Sequence, residues 1–151
     1  MDKRRYVWVR VAIVVQFLTA VLHSIGFVVK TKPANEKEAQ LVDLMANYTM
    51  DMGSGFKTNM AHLFFAVSAC FTLLCLMGGI INWFLLDKRA GHKIIKGVVL
   101  INLIVCGICF VIMGAYTFLP PILSVGLIVL SLLIAFFKIP SHRYANENAT
   151  Q

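Results

Sequence analysis

Residues 94–139 read IIKGVVLINLIVCGICFVIMGAYTFLPPILSVGLIVLSLLIAFFKI, and no Asp, Glu, Lys or Arg stands between Gly97 and Phe137. A membrane-spanning helix needs about 20 mostly apolar residues. This stretch supplies two such helices, 94–118 and 122–139, on either side of Leu119-Pro120-Pro121. Proline lacks an amide hydrogen and restricts the residue before it, so the pair ends the first of the two. A link that short makes the two helices antiparallel neighbours. Upstream, 59–86 and 6–29 are apolar runs of the same kind, and the connection 87–93 is again tight. The expected fold is an all-α integral membrane protein: a four-transmembrane-helix antiparallel bundle in a single domain.

Composition points the same way. The apolar fraction is 59% and the charged fraction 14%, against about 25% charged in a typical soluble domain. A chain of 151 residues has room for one domain and cannot hide so much apolar surface in a soluble core. The net charge of +7 raises nucleic acid as a partner. However, the cations lie in short clusters beside the apolar runs, where they meet anionic headgroups, and no continuous basic stripe exists for a nucleic acid to follow. The partner expected from composition is the lipid bilayer. The stretch from Tyr6 to Val29 is too long for the apolar region of a signal peptide and is followed by no small-x-small cleavage site, so it reads as a retained first span.

Orientation follows from Lys and Arg. Lys3, Arg4, Arg5 and Arg10, then Lys88, Arg89, Lys93 and Lys96, then Lys138 and Arg143 fall on one side. The first loop holds Lys30, Lys32, Lys37 and Lys57, diluted by Glu36, Glu38, Asp43 and Asp51, and the third connection holds no cation. This bias puts both termini in the cytoplasm. Trp8 and Trp83 fall at the same inner level, as an aromatic belt requires. Within the first loop, Asn35 and Glu38 resemble a capping box. Leu41, Met45, Tyr48 and Met52 then keep a helical period until Gly53-Ser54-Gly55. The expectation is an outer-face amphipathic helix over 36–52.

Polar and small residues within the spans fall in stripes: Gln16, Thr19, Ala20 and His23; Asn59, His62, Ala66 and Ala69; Asn102, Cys106, Cys109, Met113 and Tyr116; Ser124, Ser131 and Ala135. A spacing of three or four puts each set on one helix face, and polar groups in a bilayer must find partners away from lipid. At 1.5 Å per residue, Gln16 and Asn102 fall within about 6 Å of mid-span, where a hydrogen bond between them is expected. His23 lies about 8 Å outward, and His62 and Tyr116 about 15 Å outward. Asn102, Thr19 and Ser131 are expected to form a structural polar core. An ionisable residue inside a membrane is a site hypothesis by default. The candidate ligand-binding set is His23, Gln16, His62, Tyr116 and Asp51, with three roles open for His23: packing by an interhelical hydrogen bond, a small molecule or lipid headgroup, or a metal.

Cys106-Gly-Ile-Cys109 has the spacing of a redox or zinc pair, but a thiolate is disfavoured in hydrocarbon. Cys70 and Cys75 lie near the same depth, with Cys75 off the stripe expected for its helix. Packing is the expected role of these thiols, and no metal site is assigned. Copper(I) remains a minor alternative, because His, Met and Cys suit it. No glycine-rich phosphate loop and no nucleophile beside a base can be read, so an enzyme is not the expectation, and no cofactor can be read from the residues.

The run His23 to Gly26, the acidic outer segment, Asp51-Met-Gly53, and Leu63-Phe64 with Ser68 resemble small bacterial four-helix membrane proteins of the DoxX-like kind. The likeness covers about half of the chain. It implies a four-helix fold in a bacterial inner membrane and carries no activity with it. The expected role is an accessory or binding component that holds a hydrophobic small molecule or lipid, another membrane protein, or a second copy of the chain. The alternative is a redox or metal-handling protein, copper- or quinone-linked, that uses the outer histidines with the intramembrane Cys and Met.

Overall fold

The computed structural model describes residues 6–29 and 32–140. Lys3, Arg4, Arg5, Lys30, His142 and Arg143 lie outside the described residues. The order of elements is α1 (Val7–Ile25), α2 (Glu36–Asn47), β1 (Thr49–Asp51), β2 (Lys57–Asn59), α3 (Met60–Asp87), α4 (His92–Tyr116) and α5 (Leu119–Lys138). Four of these helices, α1, α3, α4 and α5, are long and apolar enough to cross a bilayer. The chain divides into two compact units, one of residues 1–19 and 75–151 and one of residues 20–74.

The first unit gathers parts of all four long helices. From the start of α1, the residues Tyr6, Val9, Ala12, Ile13, Gln16 and Thr19 are buried, the three-and-four spacing of a single face. On α5 the buried stripe is Val125, Ile128, Ser131, Leu132 and Ala135. On α4 it is Ile95 and Val99, continued less deeply by Asn102, Cys106, Cys109 and Met113. On α3 it is Cys75, Gly78, Gly79 and Asn82. This corrects the expected stripe of Asn59, His62, Ala66 and Ala69, since His62 and Ala66 are exposed. The cause is glycine: without side chains, Gly78 and Gly79 admit Gln16 and Phe17 of α1. A Cβ at Gly79 would lie 3.4 Å from the Phe17 ring, and one at Gly78 only 2.5 Å from Gln16 Nε2. Cys75 therefore belongs to the buried face.

Other contacts tie the helices of this unit together. The Tyr6 and His92 rings stack, with centroids 5.7 Å apart, and Tyr6 Oη hydrogen-bonds His92 Nδ1. Lys96 Nζ donates to the Ile139 carbonyl at 3.1 Å and lies 4.8 Å from the centre of the Phe136 ring. It thus caps a carbonyl at the buried end of α5 while its stem covers apolar surface. Pro120 and Pro121 begin α5 instead of linking to it. The first turn of a helix leaves its amides unpaired, so proline costs nothing there.

The second unit holds the end of α1, the first half of α3 and the segment between them. α1 stops at Ile25, four residues before the expected end, in a turn where Gly26 N donates to His23 O and Phe27 N to Ser24 O, both at 3.1 Å. Asn35 caps α2 by accepting from Glu38 N at 2.9 Å. The Glu38 carboxylate accepts from Ala34 N, so the box closes one residue earlier than the usual pattern. α2 ends at Asn47, which corrects the helix expected to reach 52. Tyr48 is extended, and Thr49 to Asp51 pair antiparallel with Lys57 to Asn59 in the register Thr49↔Asn59, Met50↔Thr58, Asp51↔Lys57. The turn is made by Gly53, Ser54 and Gly55, all at positive φ. Asp51 Oδ1 accepts from Gly53 N at 2.8 Å, the local bond that favours Asp before a turn. Asn59 joins this module to α3: its Nδ2 donates to Ala46 O at 2.6 Å, and its Oδ1 accepts from His62 N at 2.9 Å.

Candidate functional site

His23 lies in the last turn of α1. Its ring meets the edge or face of two phenylalanines: Phe71 at 5.0 Å between centroids and 75° between planes, and Phe27 at 5.9 Å and 82°. Phe27 in turn packs at 5.1 Å against Phe65. The turn after Ile25 swings Phe27 back beside the imidazole, and α3 supplies Phe65 and Phe71 from one side. Edge-to-face contacts of this kind hold an aromatic ring in place. The imidazole Nε2 is shielded from solvent and has no hydrogen-bond partner in the protein. Such a group costs about 1 to 3 kcal/mol until something satisfies it. The site therefore has apolar walls and one polar atom in need of a partner.

The other members of the candidate set are placed apart. In the unit of His23, His62 is exposed at the start of α3, with its backbone amide on Asn59. Asp51 is exposed, and its carboxylate is engaged by the hairpin turn. Neither makes a hydrogen bond to His23. Gln16 and Tyr116 belong to the other unit. Tyr116 ends α4 with 85% of its surface exposed.

The three residues expected to form a polar core lie in the first unit, with Asn102 half-buried. Thr19 and Ser131 are buried, and Ser131 Oγ donates to Leu127 O at 2.7 Å. Gln16 Oε1 accepts from Asn82 Nδ2 at 3.4 Å, not from Asn102. Asn102 nonetheless stands beside it, because its Oδ1 would lie 3.1 Å from a Cβ at Gly78. Asn82 escaped the sequence reading. The signal was available: it is the only carboxamide in the run from Met60 to Asp87, three residues after the glycine pair Gly78-Gly79. Cys75 is buried on α3, and Cys106 and Cys109 are half-buried on α4, all in the first unit. Among the described residues, however, no three His, Cys, Asp or Glu side chains form a group able to hold a metal ion. The chain matches no family model, no curated protein and no solved structure.

Proposed function

We propose that this is a multi-pass protein of the bacterial inner membrane, an antiparallel bundle of four spanning helices with both termini in the cytoplasm and α2 and the hairpin on the outer side. In this reading it is a binding or accessory protein, not an enzyme, and His23 is the polar contact for a hydrophobic molecule that carries one hydrogen-bonding group. The observation that carries the reading is the shielded, unpartnered Nε2 of His23 among Phe27, Phe65 and Phe71. In hydrocarbon no bulk water is at hand to satisfy it, and among the apolar rings of Phe27 and Phe71 a ligand or lipid carbonyl or hydroxyl is the natural partner. The membrane setting is supported by large apolar side chains left exposed along every long helix, among them Leu18, Phe64, Val111 and Phe137. Orientation rests on the Lys and Arg bias alone.

The test measures stability and co-purified small molecules on the same variants. His23→Ala and His23→Phe should both emerge folded and without ligand. If His23 serves packing only, both should lose about 1 to 2 kcal/mol of stability, as for a lost interhelical contact, while folded molecules keep any bound ligand. That result would sink the ligand reading. Cys75, Cys106 and Cys109, on the inward faces of α3 and α4, are the basis of a second reading, redox or metal handling. Stoichiometric copper or zinc in the purified protein would put it first.

A further inference from the structure

Asn82 is 1% exposed, as is Gln16. Asn82 Nδ2 reaches Gln16 Oε1 over a long 3.4 Å, while Asn82 Oδ1 is shielded from solvent and has no partner in the protein. Gly78, one helical turn before Asn82 on α3, is where the third carboxamide comes in. Gln16 Nε2 and Asn102 Oδ1 would lie 2.5 Å and 3.1 Å from a Cβ placed there. Three side-chain amides from α1, α3 and α4 thus converge on one face of α3 within the first unit. Gln16 is nine residues into α1 and Asn102 ten residues into α4. At 1.5 Å per residue that is about 13 to 15 Å from the start of each helix, the middle of a hydrocarbon layer of about 30 Å.

A buried amide oxygen at such a depth has no bulk water or lipid headgroup to turn to, and leaving it unpaired is costly. Rotating the Asn82 amide by half a turn does not help. It sets Oδ1 against Gln16 Oε1, both acceptors, and leaves Nδ2 as an unmet donor in its place, so the flipped amide is worse satisfied than the one described. The occupant that answers it is narrowly defined. A cation is disfavoured, because Gln16, Asn82 and Asn102 carry no charge to offset its desolvation. An organic molecule is disfavoured, because Asn82 and Gln16 are both fully enclosed. A water molecule both donates and accepts, and it needs two to four polar partners. Asn82 Oδ1 and Asn102 Oδ1 offer acceptors, and Gln16 Nε2 offers a donor.

We infer that the Gln16–Asn82–Asn102 cluster is a binding site for one internal water, which donates to Asn82 Oδ1. The site is independent of His23, whose unit does not include these residues. The experiment is proton-detected solid-state NMR on the full chain in lipid bilayers, with ¹⁵N in the Asn and Gln side chains and transfer read from water to the amides. The Asn82 and Gln16 side-chain amides should show water cross-peaks, while the neighbouring backbone amides of Val99 and Leu132 should not. In Gly78→Ala all three carboxamides remain, but the added Cβ stands among them, and the cross-peaks should be lost with the rest of the spectrum in place. Asn82→Leu should remove the cross-peak at Gln16 as well. Absence of water transfer to both amides in the unsubstituted protein overturns the site. So does a Gln16 cross-peak unchanged in Asn82→Leu. The unsubstituted spectrum decides by itself if either variant fails to fold.

Discussion

Gly78 shows how much a single absent side chain can decide. Its missing Cβ is what lets Gln16 and Asn102 reach the face of α3, since the added atom would stand 2.5 Å and 3.1 Å from their polar atoms. Gly78→Ala should therefore destabilise the protein by about 1 to 3 kcal/mol, the usual penalty for overpacking a filled interior. Gly97, with nothing within 4 Å of its Cβ position, should accept alanine at no loss. Thermal unfolding in detergent, run side by side, compares the two, and equal melting temperatures for the pair would contradict the packing described. Lys96 is the complementary case of a charge that serves structure. Lys96→Met keeps the apolar stem but removes the bond to the Ile139 carbonyl and the contact with Phe136. A loss of about 1 kcal/mol is expected for a partly solvated bond of this kind. Earlier exchange of the Ile139 amide, which pairs with Ala135 O, would locate the loss at the end of α5. Of the residues proposed from sequence as ligands, His23 alone carries a shielded side-chain atom without a partner in the protein. Periodicity singled out its helix face, but not the turn that returns Phe27 to its side.

Among the elements, the segment between α1 and α3 departs furthest from expectation. Leu41, Met45, Tyr48 and Met52 keep a helical period, yet the helix ends at Asn47. A three-residue strand pairing and a glycine turn prevail over the period, with Asp51 bonded to Gly53 N and Asn59 to Ala46 O. Each residue of the turn is in the left-handed region, and nothing lies within 4 Å of a Cβ at Gly53 or Gly55. The cost of substitution there is then conformational, not steric. Gly55→Ala should weaken the hairpin by about 1 to 2 kcal/mol, and Gly55→Asn by less, because Asn tolerates this region. Hydrogen exchange at the Met52 and Phe56 amides, both bonded within the turn, reads the difference. Equal exchange in the two variants would mean that the turn does not limit the hairpin. At the other end of the segment, Asn35→Ala removes the bond to Glu38 N and should cost α2 about 1 kcal/mol. α2 buries no residue, so that loss should appear in α2 amides and not in the melting temperature.

At the scale of the whole molecule, topology is the claim most open to a direct test. A cysteine placed at Ala34 should react with a membrane-impermeant reagent from the periplasmic side. One placed at Ala90 should react only once the membrane is broken, with the unsubstituted chain as the background for the native thiols. The reverse pattern would turn the protein over. The four long apolar helices and the tight turns between α3, α4 and α5 could be read from composition alone, because a bilayer asks only for length and apolarity, and both are properties of local sequence. Charge bias along the chain likewise needs no fold to be counted. The inward faces of α1, α4 and α5 followed from spacing, apart from Tyr116, which is exposed at the end of α4, since a helix repeats its direction every three to four residues. The inward face of α3 did not: almost every residue in it is apolar, its polar residues fall on more than one face, and only the approach of Gln16 and Phe17 to Gly78 and Gly79 selects the one that is buried. For the same reason Gln16 is paired with Asn82 and not with Asn102, and Cys75 is buried. Which polar groups go unsatisfied, His23 Nε2 and Asn82 Oδ1, was likewise decided only by tertiary structure, because a hydrogen bond between helices depends on the angle and rotation at which they meet, and no single segment of the chain contains that information.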